Sequence, residues 1–137
     1  MLRGESKIMN LQQITTISDE DIGFLILIKE GYLVKVLTTD KGGVMATNRD
    51  TNPNIIPIHN NMTGFYFDDM ELVATTDKKL KVGDLVVTNE GRLATITKGK
   101  LGLGMTYKTV DKSGIYNDPA CNLLLNRDDI QYLVKEV

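Results

Sequence analysis

The stretch Ile22-Gly23-Phe24-Leu25-Ile26-Leu27-Ile28-Lys29-Glu30-Gly31-Tyr32-Leu33-Val34-Lys35-Val36 lies without a gap over Val82-Gly83-Asp84-Leu85-Val86-Val87-Thr88-Asn89-Glu90-Gly91-Arg92-Leu93-Ala94-Thr95-Ile96, sixty residues further on. Gly, Leu, Glu, Gly and Leu coincide, and most other apolar positions stay apolar. The same offset pairs Gly42 with Gly102, Met45 with Met105, Ile55 with Ile115, and Asp68-Asp69-Met70 with Asp128-Asp129-Ile130. The matches fall at glycines, turn acids and core positions, where backbone geometry narrows the choice of residue. Two generic hairpins sharing turn chemistry are the competing explanation. An internal duplication is the reading carried forward.

Each copy reads as short strands. Leu25–Ile28 and Leu33–Leu37 are aliphatic and β-branched and flank Lys29-Glu30-Gly31, where Gly31 can take the left-handed conformation of a tight, bulged hairpin. Leu85–Thr88, Asn89-Glu90-Gly91 and Leu93–Thr97 repeat the pattern. A third strand is expected near Val44–Thr47 and Met105–Val110. Irregular stretches rich in Pro, Asn and Asp follow, at Asn48–Gly64 and Asp111–Ala120. A fourth strand is expected at Gly64–Phe67 or Asn122–Asn126. A helical turn at Asp68–Met70 or Asp128–Ile130, capped by its aspartates, then leads to a last strand, Glu71–Ala74 or Gln131–Val134.

Five short strands with a helical turn before the last resemble the Src-homology-3-like small barrels. Val82-Gly83-Asp84-Leu85-Val86-Val87, then Gly91-Arg92-Leu93-Ala94-Thr95-Ile96, is similar to the first hairpin of that group and of KOW-type modules. In the first copy Phe24 stands where the aspartate would, a departure from the pattern. The resemblance implies an all-β fold of two tandem SH3-like small barrels and no particular activity. The expected division is a first unit at 18–77 and a second at 78–137. Residues 1–17 precede them as an arm or short helix, because Ile8, Leu11, Ile14 and Ile17 recur every third residue. The arm is expected to cover a barrel edge, with exchange between subunits as the alternative.

The 137 residues suit one medium domain or two very small ones. The longest apolar run, Phe24–Ile28, is of strand length and far short of the roughly 20 residues that span a bilayer, so no membrane partner is expected. No secretory signal is evident at the N-terminus, and a single cysteine, Cys121, excludes an internal disulfide framework; cytoplasmic residence is the expectation. Net charge is −2, but it is uneven. Lys78–Lys112 carries eight basic and three acidic residues, or +5, and the remainder eight basic and fifteen acidic, or −7. Clustered charge steers partners.

Catalytic chemistry finds little footing. His59 is the only histidine, and no nucleophile sits in a recognisable motif. One Cys and one His are too few for a zinc site. Cys121 reads as a small core residue. The aspartate pairs read as turn caps rather than acid–base or metal pairs, and Ser18-Asp19-Glu20-Asp21 as a solvated turn. Gly99-Lys100-Leu101-Gly102-Leu103-Gly104 lacks the Lys-Ser/Thr of a phosphate-binding loop and reads as a hairpin connection. No cofactor and no enzymatic activity are expected.

Two binding readings remain. The first is a protein–protein interaction, inhibitor or accessory module of the kind phages and mobile elements encode. It would engage its partner through an open strand edge or through loop residues Asn48, Arg49, Asn52, His59, Asn60, Asn61, Phe65 and Tyr66 and their counterparts Tyr116, Asn117 and Asp118. The second is nucleic-acid or anionic-nucleotide binding on a basic face of Arg92, Lys98, Lys100, Lys108 and Lys112 with Tyr107 for stacking. A homo-oligomer is compatible with either.

Overall fold

The computed structural model of the protein describes residues 13–14, 16–39, 43–46, 55–57, 63–67, 70–75 and 79–136. Among these the fold is all-β. The strands are β1 (Gln13–Ile14), β2 (Leu25–Ile28), β3 (Tyr32–Val36), β4 (Gly43–Ala46), β5 (Ile55–Pro57), β6 (Gly64–Tyr66), β7 (Met70–Ala74), β8 (Leu85–Thr88), β9 (Leu93–Lys98), β10 (Leu103–Asp111), β11 (Gly114–Leu124) and β12 (Ile130–Glu136). Among the described residues helical structure is limited to single 3-10 turns at Asp19–Asp21, Lys29–Gly31 and Arg127–Asp129. None is long and apolar enough to cross a membrane.

Two antiparallel sheets result, in the orders β1-β6-β2-β3-β4-β5 and β7-β12-β8-β9-β10-β11. The first hairpin of each has one register: Leu27 faces Leu33 and Ile26 faces Val34, as Val87 faces Leu93 and Val86 faces Ala94, sixty residues apart. Gly31 and Gly91 both take positive φ at the turns, as the hairpin geometry demands. Beyond the hairpins the spacing drifts. Val36 faces Val44 while Ile96 faces Met105, 61 residues apart. Leu27 faces Phe65 while Val87 faces Tyr132, 67 apart. Met45, which faces Lys35, is therefore not at the position of Met105.

The extra length falls in the β10–β11 hairpin. Asp111–Ala120, expected to be irregular, continues the sheet through a tight turn in which the Ser113 amide donates to Asp111 Oδ1 at 2.7 Å. Residues 118–121 bulge out opposite Tyr107, because Thr106 faces Asn122 and Lys108 faces Asn117. Pro119 sits in that bulge on an edge strand, where its missing N–H breaks no ladder bond.

The expected boundary at residue 77 also moves. β7, read as the last strand of the first unit, is the outer strand of the second sheet, with Val73 facing Leu133 and Ala74 facing Tyr132. It stands outside β12 as β1 stands outside β6, where Gln13 faces Phe65. The last strand of the first sheet is thus β6, and the arm strand β1 lies along that sheet's edge with Ile14 buried.

Three apolar clusters explain why β2 and β8 carry nearly unbroken apolar runs: both faces of each are covered. Ile26, Ile28, Val34 and Val36 pack with Ile14 inside the first sheet. Val86, Ala94, Ile96 and Met105 pack with Leu80 and Ile130 inside the second. The alternate residues meet in a shared core, where Leu27, Leu33, Phe65 and Phe67 from the first sheet pack with Val87, Leu93, Val110 and Ile115 from the second. The Leu33 amide donates to the Gly91 carbonyl at 2.7 Å, and Tyr32 forms an isolated antiparallel bridge with Arg92. The sheets therefore meet along the starts of β3 and β9.

Candidate functional site

The residues expected to form a basic face do not share one. Arg92 opens β9 at the seam between the sheets, and its guanidinium carbon lies 4.0 Å from the Tyr107 ring centroid and 5.4 Å from that of Tyr32. Its Nε is buried without a hydrogen-bond partner, which fits a cation held by ring faces. Burial first, and then Glu90, push the Tyr107 phenol above its ordinary range, while Arg92 acts in the opposite sense. Lys108 is only 6% exposed. Its backbone abuts Gly31 of the first sheet. Arg92, Tyr107 and Lys108 thus cement the seam rather than offer an anion surface.

Lys98 and Lys100 are exposed at the β9–β10 connection and Lys112 at the β10–β11 turn, which places them at opposite ends of the nine-residue β10. The glycine stretch forms that first connection, closed by the Gly99 amide donating to the Gly102 carbonyl at 2.7 Å.

The loop candidates divide as well. Asn48, Arg49, Asn52, His59, Asn60 and Asn61 lie outside the described residues, as do Asp68-Asp69 and the arm through residue 12. Phe65 is buried in the shared core. Tyr66 is half-buried, and its ring meets Phe24 edge-on at 6.0 Å. Its hydroxyl donates to Asp21 Oδ1 at 2.7 Å. Asp21 is not a solvated turn acid but 6% exposed, its other oxygen accepting the Ser18 amide at 2.9 Å. Phe24, where the second copy has Asp84, packs on the tyrosine that the buried acid holds.

The bond to the Asp21 carboxylate, aided by burial, pushes the Tyr66 pKa from 10.0 up to about 12. The folded state therefore holds this proton more tightly than the unfolded chain. The corresponding stability is fully present below pH 10 and is lost as pH rises towards 12. Phenolate absorbance should show one tyrosine titrating near pH 12 that disappears in Tyr66→Phe. In Asp21→Asn it should return towards its ordinary value. An unchanged titration in Asp21→Asn would refute the assignment.

Tyr116, Asn117 and Asp118 do lie together, on the outer strand of the second sheet. Tyr116 and Asn117 are exposed, and Asn117 Oδ1 accepts from the Thr95 hydroxyl at 3.5 Å. Asp118 braces the bulge, accepting the Ala120 amide at 3.0 Å and the Cys121 thiol at 3.4 Å. Cys121 is accordingly half-buried in the bulge, outside the three apolar clusters. The 3-10 turn before β12 is capped by Asn126, whose Oδ1 accepts from the Asp128 amide at 3.1 Å; the aspartates themselves are exposed. Among the described residues no group of three or more His, Cys, Asp or Glu side chains is placed to hold a metal.

The edge of β11 was legible only as a loop with turn residues, because Asp111-Lys112-Ser113-Gly114 and Asp118-Pro119 both signal breaks. What joins them into one strand is the pairing to β10. Compared with known protein families, curated proteins and solved structures, the chain matches none of them.

Proposed function

We propose that the protein is a non-enzymatic binding module whose partner is another protein, engaged along the outer edge of β11. The observation that carries this is the eleven-residue strand β11 at the end of the second sheet. Its outer backbone groups face away from β10, and an extended segment of a partner can satisfy them by strand addition. Tyr116 and Asn117 flank that edge, an aromatic with a polar tip beside an amide, residue types that recur where recognition is specific. The Asp118–Cys121 bulge breaks the ladder and keeps the edge from pairing indiscriminately.

The strand order supports the SH3-like resemblance: in each sheet four strands follow in a meander and the last returns beside the first of them, after a 3-10 turn in the second sheet. Equal order in both sheets, with β1 and β7 in matching outer places, supports an origin by duplication of a unit that includes the arm strand.

A tagged protein recovered from its own source is expected to retain one polypeptide at fixed stoichiometry. Placing two edge lysines by Tyr116→Lys and Asn117→Lys should release it, since lysine on an edge strand opposes strand addition. Equal retention by the double variant would sink the edge assignment. Release of an oligonucleotide or nucleotide instead would replace the protein-partner reading with the anion-binding one.

A further inference from the structure

The two sheets carry the same turn with opposite charge. Gly23 donates its amide to Val36 O at 2.8 Å, and Gly83 donates to Ile96 O at 2.9 Å, so the segments before β2 and β8 sit alike on the ends of β3 and β9. Asp19 and Asp21 on the first turn correspond by the sixty-residue offset to Lys79 and Lys81 on the second. At the first end Asp19 and Glu20 are exposed beside Ile22, Phe24 and Leu37, with Lys35 as the nearby cation. At the second end Lys79, Lys81, Lys98 and Lys100 are exposed, with Asp84 half-buried among them. The same end carries Val82, Leu123, Leu124 at 70% exposure and Leu101 at 93%.

Seven of the eight large apolar side chains exposed among the described residues therefore lie at these two ends, with Tyr116 the exception. The backbone does not require this. The positions of Phe24 and Leu37 are filled by Asp84 and Thr97 in the second sheet, where the turn has the same hydrogen bonds.

The ends point away from each other. The bridge between Tyr32 and Arg92 is antiparallel, so β3 and β9 leave the seam in opposite directions, towards Leu37 and Lys98 respectively. At about 3.3 Å per residue, roughly 35 Å of strand separates the two ends, too far for one to cover the other within a chain.

We propose that these ends are the two halves of a head-to-tail contact, in which the acidic apolar end of one chain seats on the basic apolar end of a second copy. Charge complementarity selects the partner: each end repels its own kind and matches the other. Such a contact is heterologous, and it builds rings or open filaments rather than a two-fold dimer. It uses only the Leu123–Leu124 end of β11, leaves the stretch around Tyr116 and Asn117 to a different partner, and stands independently of the function proposed above.

Sedimentation velocity on the whole chain tests it at about 0.01 M salt, with a Debye length of roughly 30 Å, and at about 1 M, where it is roughly 3 Å. At low salt the weight-average mass is expected to rise with concentration to roughly twice the monomer or more. At high salt it should fall back towards the monomer. The variant D19K/E20K has two basic ends and K79E/K98E/K100E two acidic ones; each alone should stay monomeric, and their equimolar mixture should associate again. A wild-type chain that stays monomeric at low salt overturns the proposal. So does association that survives in both variants alone or is indifferent to salt, because it then runs through another surface.

Discussion

Truncating Phe67 to alanine should destabilise the protein by about 3–5 kcal/mol, the range for removing a large aromatic side chain from a packed core. Phe67 is fully buried, follows β6 directly and donates its amide to Leu25 O at 2.9 Å. Its neighbours in the shared core include Val87, Leu93, Val110 and Ile115 of the other sheet, so the cavity opens between the sheets rather than inside one. Small domains have about 5–15 kcal/mol of stability in total, so this one change removes a large share of it. The loss should also be common to both sheets. Amide exchange should speed up at Ala94 and Ile96 as much as at Ile26 and Val34. Retained protection in the second sheet alone would mean that the halves unfold separately, against the shared core.

Gly31→Ala should cost about 2–5 kcal/mol, well above the cost of the same change at Gly83, and the difference isolates the seam. Both glycines have positive φ, +77° at Gly31 and +96° at Gly83, so each alanine incurs a left-handed penalty of about 1–2 kcal/mol. At Gly83 an added Cβ meets nothing within 4 Å. At Gly31 it would lie 2.2 Å from the Lys108 carbonyl oxygen, in the middle of β10 where Lys108 faces Asn117. That carbonyl cannot swing aside without pulling on its own sheet, so the turn must retreat and loosen the seam that holds Arg92 between Tyr32 and Tyr107. Urea unfolding of the two variants measures the contrast. Equal losses would mean that the seam yields and that the close approach is not a constraint.

The sequence carried the local structure well because local structure rests on local causes. Nearly unbroken apolar runs, each with a glycine three residues past its end, specify the two hairpins, and the registers at Leu27–Leu33 and Val87–Leu93 follow from them. Matching by a constant offset failed further along for the same reason. Asp68-Asp69 and Asp128-Asp129 are alike in sequence, yet the strand after Asp128-Asp129 pairs with β8 as β6 pairs with β2, because a hairpin and a bulge in between lengthen the second copy.

By itself the sequence determined the all-β class and the positions of the paired hairpins. These depend on residue periodicity, turn glycines and side-chain identity, which can be read without knowing what lies opposite. Tertiary structure alone decided that β7 belongs to the second sheet, that Arg92 and Lys108 are withdrawn into the seam, and that Tyr66 is bound to Asp21, 45 residues away. Each of these depends on a partner distant in the chain. A strand has two edges, and a cation can as well lie under rings as in water; only the packing of the shared core settles which neighbour each one receives.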